Sequence, residues 1–168
     1  MKAHRARNLE RAPRLASLVA TVGGIGFSKF APGTMGSLAA ILPAWVLLAS
    51  YGTLGPLTLA AVVFGIGYWA SDIYVLVGRV DDPKEIVIDE VAGQTLTIAF
   101  LPATSHPLWI VAAFVAFRFF DILKPWPVNL AERRLQDGLG VMADDIVAAL
   151  YAGLVLLSAN WLFTVITT

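Results

Sequence analysis

The stretch LAAILPAWVLLASYGTLGPLTLAAVVFGIGYWAS, Leu38 to Ser71, contains no Asp, Glu, Lys or Arg. A membrane-spanning helix needs roughly 20 mostly apolar residues, within a range of about 17–25. This window holds two such helices if it turns at Tyr51-Gly52-Thr53-Leu54-Gly55-Pro56, a cluster of turn formers. Two more windows, Val91 to Phe117 and Ile146 to Thr168, are equally free of charge. The first folds back at Pro102-Ala103-Thr104-Ser105-His106-Pro107, with a proline at each end, and the second fits one helix. The pattern predicts an all-α, multi-pass transmembrane helical bundle of about five helices, near residues 36–51, 57–77, 87–101, 107–124 and 145–166.

Composition agrees. Across 168 residues the chain is 58% apolar and 14% charged, against roughly 45–50% and about 25% in soluble domains. So small a body cannot hide that apolar surplus, because its surface-to-volume ratio is high. Intrinsic disorder, a basic nucleic-acid-binding domain and an ordinary soluble globule are all disfavoured. Cysteine is absent, and histidine occurs only at His4 and His106. Thiolate nucleophiles, Cys-ligated metals and multi-histidine metal sites are thereby excluded within one chain.

Every charged residue falls in 1–37, 72–90 or 118–145, the segments on one side of the expected bundle. Cytoplasmic loops carry the excess of Lys and Arg, so this side is assigned to the cytoplasm and the C-terminus to the outside. Lys2, Arg5, Arg7, Arg11 and Arg14, followed by Leu15–Val22, imitate a signal peptide. The apolar run is short, however, and enters Gly23-Gly24-Ile25-Gly26 without a small-residue cleavage pattern. A basic interfacial helix on anionic lipid is the better reading. The expected organisation is an interfacial segment at 1–30 and a membrane-embedded domain at 31–168.

The charges also separate by sign along the chain, with a net +5 in residues 1–37, −4 in 72–90 and −1 in 118–145. Asp89-Glu90 and Asp144-Asp145 each stand where a charge-free helix is expected to begin, with Asp82 upstream of the first pair. Converging acids with oxygen-only ligation suit Mg²⁺ better than zinc. The structural alternative is that these acids cap helices and oppose their dipoles. In Ala31-Pro32-Gly33-Thr34-Met35-Gly36-Ser37, Gly33 and Gly36 let backbone approach a ligand, and Thr34 and Ser37 offer hydroxyls, with Lys29 just upstream. A helix N-terminus of this kind binds anions, although a hydroxyl capping a helix after Pro-Gly is also common. Arg118, Asp121 and Lys124, spaced by three, share one helix face before Pro125-Trp126-Pro127 ends it. They are either snorkelling ends tied to one Asp or a phosphate clamp in which Asp121 orients Arg118 or binds metal.

At these motifs the chain resembles the phosphatidylglycerophosphatase A family. The residues are Pro32-Gly33-Thr34-Met35-Gly36-Ser37, Asp89-Glu90 with Gly93, Arg118-Phe119-Phe120-Asp121-Ile122-Leu123-Lys124-Pro125-Trp126-Pro127 and Gly138-Leu139-Gly140-Val141-Met142-Ala143-Asp144-Asp145. They span about Gly24 to Leu156 in family order, whereas Ser71–Pro83 has no clear counterpart and leaves Asp72 unassigned. The resemblance implies an all-helical, Mg²⁺-dependent enzyme of the bacterial inner membrane. Its reaction would convert phosphatidylglycerophosphate to phosphatidylglycerol and phosphate at the cytoplasmic face.

No thiol is present, His106 is expected on the opposite face, and no Asp-x-Asp motif occurs. A metal-activated water is therefore the leading mechanism, with a carboxylate nucleophile from Asp89 or Asp144 as the other route. Two further classes compete. A small transport component would line its helix centres with polar groups, yet these carry only scattered Thr, Ser and Gln94. A transferase using a nucleotide-activated donor would also use Mg²⁺ and membrane aspartates, but its Asp-Gly-x₂-Ala-Arg signature is missing.

Overall fold

The computed structural model describes residues 13–78, 83–104, 106–126 and 137–167. Among these it contains no strand and six α-helices: α1 (Arg14–Ala20), α2 (Pro32–Tyr51), α3 (Leu54–Gly78), α4 (Ile88–Ala99), α5 (Pro107–Leu123) and α6 (Asp137–Thr167). A 3-10 turn at Ile25–Phe27 joins α1 to α2.

Three of the helices, α2, α3 and α6, are long and apolar enough to cross a membrane. Their surfaces bear this out: Leu42 is 67% exposed, Leu154 59% and Val62 54%, while Ser71, Gln94, Thr95 and Thr97 are buried. Polar-in, apolar-out is the arrangement that lipid selects.

The expected pair of helices between Val91 and Phe117 is shorter than a pair of spans. α4 has 12 residues and α5 has 17. At 1.5 Å per residue α4 covers about 18 Å, well under the ~30 Å hydrocarbon core. The cause is the break at Phe100–His106, where Pro102 interrupts the run and Pro107 restarts it at the first position of α5.

Short as it is, α4 is the hub, packing against α2, α3, α5 and α6. Ile88 and Ala92 join a cluster with Ala70, Tyr74 and Met142. Ile98, at its other end, joins Ala44, Leu48, Ile110 and Leu156. Gly93 sets the closest approach. A Cβ there would lie 2.6 Å from the Phe117 ring and 2.9 Å from the Asp145 carbonyl oxygen. Only glycine leaves room there for the α6 backbone and the Phe117 ring of α5 to come so close.

Two boundaries differ from expectation. α6 begins at Asp137 rather than near 145. Gly138 and Gly140 lower helix propensity there, but Asp72 Oδ1 on α3 accepts a 3.3 Å hydrogen bond from Gly138 N, and Met142 is fully buried. Tertiary contacts thus extend the helix by two turns. α1 is the sixth helix, against about five expected, and lies in the described part, 13–30, of the basic N-terminal segment. It packs on α3 with Ala16, Ser17 and Ala20 buried, while Leu15 and Leu18 face outward. Residues 1–12 lie outside the described residues.

Candidate active site

Asp89 and Glu90 occupy the first turn of α4, where carboxylates oppose the positive end of the helix dipole. Neither is the N-cap residue, which is Val87, although Asp89 Oδ1 accepts from the first-turn amide of Glu90 at 3.0 Å. Asp145 approaches from α6. Because α6 starts at Asp137, Asp144 and Asp145 stand two turns inside it, so capping cannot account for them. Carboxylate oxygens of Asp89, Glu90 and Asp145 all lie within 4.8 Å of one another. Burial pushes the Asp89 carboxyl well above the usual carboxylate range, and repulsion from Glu90 and then Asp145 adds to it. Burial raises Glu90 as well, opposed by its hydrogen bond with Asp89 and by the Arg118 charge.

The bases come from α5. Arg118 Nη1 lies 2.5 Å from Asp121 Oδ2 and 3.8 Å from Glu90 Oε1, and it donates to Ser37 Oγ at 3.4 Å. Lys124 ends the helix in the left-handed conformation, at φ 43°. Its Nζ donates a 2.6 Å hydrogen bond to Asp144 Oδ2. Arg118 is therefore held chiefly by Asp121, with Glu90 beyond it, and Lys124 is bonded to Asp144.

α2 closes the site from a third direction. Its N-cap, Ala31, sits in the left-handed region at φ 39°, and no side chain caps the helix. Ser37 Oγ donates to Gly33 O at 3.0 Å, so its hydroxyl is not spent on capping. The amides of the first turn are left for a ligand. A Cβ on Gly33 would overlap the Glu90 carboxylate and lie 3.2 Å from Arg118 Nη1.

Asp89, Glu90, Asp121, Asp145, Gly33, Ser37 and Arg118 are thus brought together, with Lys124 and Asp144 paired beside them. Gly36 packs on Val87 just behind, where a Cβ would lie 2.9 Å from the Val87 carbonyl oxygen. Thr34 is half-buried on α2 and Lys29 is exposed in the preceding loop. Asp82 lies outside the described residues. His106 caps α5 at an exposed turn, its Nδ1 accepting from Leu108 N at 3.3 Å, and takes no part. Asp72, unassigned from sequence, is a tertiary cap for α6. Three buried atoms of the site have no hydrogen-bond partner among the described residues: Glu90 Oε2, Asp145 Oδ2 and Arg118 Nε. Gln94, one turn beyond Glu90 on α4, shares that property. In the sequence it reads only as one of the scattered polar groups of the helix centres, and the available signal was its i+4 spacing from an acid.

The family model for phosphatidylglycerophosphatase A matches residues 18–160. A phosphatidylglycerophosphatase A of Haemophilus influenzae is 38% identical over 144 residues, covering 86% of this chain and 88% of the relative. One from Escherichia coli K12 is 41% identical over 136 residues, 78% of this chain and 75% of the relative. A Bacteroides thetaiotaomicron protein named "Putative phosphatidylinositol-3-phosphatase" is 35% identical over 159 residues, 91% of this chain and 98% of the relative. No solved structure matches the chain. With the family model covering most of its length, and relatives this similar along three quarters or more of theirs, the chain belongs to the phosphatidylglycerophosphatase A family, a family of phosphatases.

Proposed function

We propose that this protein hydrolyses the terminal phosphomonoester of phosphatidylglycerophosphate, yielding phosphatidylglycerol and inorganic phosphate, in a Mg²⁺-dependent reaction. The observation that carries the reading is the convergence of Asp89, Glu90 and Asp145 beside Arg118 and the uncapped start of α2. Acids alone would repel the phosphate, and bases alone would hold it without activating it. Their combination suits a cation and a phosphate meeting at one point.

The donor set fits a hard divalent cation. It is all oxygen, and Glu90 Oε2 and Asp145 Oδ2 are buried without partners among the described residues. Asp89, Glu90 and Asp145 would hold Mg²⁺, which supplies Lewis acidity toward the transferring phosphoryl group. Arg118, oriented by Asp121, neutralises phosphate oxygens, and the amides of Gly33 and Thr34 face the same anion. Lys124, released from or shared with Asp144, adds a second positive charge. Attack by water on phosphorus breaks the P–O ester bond, and the head-group oxygen leaves with a proton as the alcohol. We assign Lys29, in the loop before α2, and the Thr34 hydroxyl, in its first turn, to the same anion as outer contacts.

In the membrane, α2, α3 and α6 cross, while α4 and α5 leave and return to one face. That face carries the acids and bases of the site, and we assign it to the cytoplasmic side of the bacterial inner membrane. Residues 31–168 are assigned as the catalytic body, and the basic composition of the segment before them suits anionic lipid.

Phosphate release from phosphatidylglycerophosphate by the purified protein in detergent tests this reading. We expect turnover with Mg²⁺ and none with a chelator. No release under either condition overturns the function, and full release in chelator overturns the metal. A head-group transferase would release no inorganic phosphate under either condition, and would release a nucleoside monophosphate when given a nucleotide-activated donor.

A further inference from the structure

One face of α4 grades from charge to hydrocarbon. Glu90, Gln94 and Ile98 follow at i, i+4 and i+8, so they lie one above another. Glu90 is in the carboxylate cluster, and Ile98 is in the apolar cluster with Ala44, Leu48 and Ile110. Gln94 lies between them. It is fully buried, yet neither its Oε1 nor its Nε2 has a hydrogen-bond partner among the described residues. Glu90 Oε2 and Arg118 Nε are in the same condition, so the unpartnered atoms run from the charged centre one turn deeper along α4.

A buried primary amide offers two N–H donors and two acceptor lone pairs, and leaving all of them unpaired is unfavourable. The chemistry of the amide selects its ligand. A phosphate dianion accepts hydrogen bonds but donates none, so it would satisfy Nε2 and leave Oε1 orphaned. A hydroxyl does both. We propose that Gln94 determines substrate specificity here, its amide receiving a hydroxyl of the polyol that bears the phosphomonoester, one turn below the phosphate. The proposal rests on the phosphatase reading above and deepens it, since it names what the head group must carry besides phosphate. A site built around a buried hydrogen-bonding group rejects a substrate lacking the partner, because its own polar atoms are then left bare.

The test compares three lipids in detergent micelles with Mg²⁺: phosphatidylglycerophosphate and phosphatidylinositol 3-phosphate, which carry such hydroxyls, and phosphatidic acid, which has none. Wild type and Gln94→Leu are measured, with thermal unfolding of both. Leu keeps volume and removes an amide that has no partner among the described residues, so the variant should unfold no earlier than wild type. We expect wild type to prefer a polyol substrate, and Gln94→Leu to shrink the ratio of kcat/KM, polyol substrate to phosphatidic acid, by at least tenfold. A structural role would scale all three substrates together. Gln94→Asn, with the amide withdrawn by one methylene, should keep more of the preference than Leu does. An unchanged ratio in Gln94→Leu, or a wild type as fast on phosphatidic acid, overturns the assignment. Should wild type cleave phosphatidylinositol 3-phosphate and not phosphatidylglycerophosphate, the substrate proposed above fails while the role of Gln94 stands.

Discussion

Gly33 on α2 and Glu90 on α4 are in contact so close that a side chain on the first would displace the carboxylate of the second. The glycine is helical and not at a positive φ, so its requirement is for space. Alanine would favour the helix by roughly 0.5–1 kcal/mol. Gly33→Ala should therefore leave the thermal midpoint near that of wild type while lowering phosphate release at least about tenfold, or ~1.4 kcal/mol of barrier. Retained activity would mean that the Glu90 position is immaterial to turnover.

Asp89→Asn and Asp145→Asn separate ligation from structure. Asn caps a helix about as well as Asp, and Asp145 is too far inside α6 to cap anything. If the two carboxylates hold a cation, each change should cut kcat by about a hundredfold or more, on the order of 2.7 kcal/mol. The folded protein should survive, since each variant relieves repulsion among buried acids. Wild-type turnover in both variants would place the chemistry elsewhere.

The pH dependence of the cation-free protein follows from Asp89, whose carboxyl is held well above its ordinary range by burial and then by Glu90 and Asp145. The folded chain keeps a proton that the unfolded chain releases. Its stabilising effect is complete below the unfolded pKa and is lost as pH rises through the folded one. In chelator, the thermal midpoint should fall as pH is raised above the usual carboxylate range. Asp89→Asn should flatten that slope, and excess Mg²⁺ should restore stability at high pH by favouring the ionised cluster. A midpoint that rises with pH in chelator would contradict this reading.

Asp72 holds the start of α6 through Gly138 N at 3.3 Å. Asp72→Ala should cost about 0.5–2 kcal/mol, the range for a lost cap, and Asp72→Asn should recover most of it. Hydrogen exchange at the first turn of α6 reports this directly, with faster exchange in Asp72→Ala alone.

Topology can be checked on a clean background, because the chain has no cysteine. A cysteine at Thr53, in the exposed turn between α2 and α3, should react with a membrane-impermeant reagent from outside intact cells. One at Lys84, exposed ahead of α4, should react only after the membrane is opened. The reverse pattern would invert the orientation and move the site out of the cytoplasm.

The membrane class is legible in the chain itself, because the cost of placing an ionised group in hydrocarbon depends on composition along a window, whatever the packing. Local pairs are legible for a similar reason, as Arg118 and Asp121 are three apart on one helix and do form their ion pair. What the sequence left open is which acid meets which partner. Asp144 and Asp145 read as an equivalent pair, yet one binds Lys124 and the other joins Asp89 and Glu90. Successive helical residues point about 100° apart, so only one of the two can face α4. The choice is made by the rotation of α6, fixed where its backbone at Asp145 meets Gly93 and where Asp72 holds its first turn. Those contacts join residues far apart in the chain, and only the packed bundle decides them.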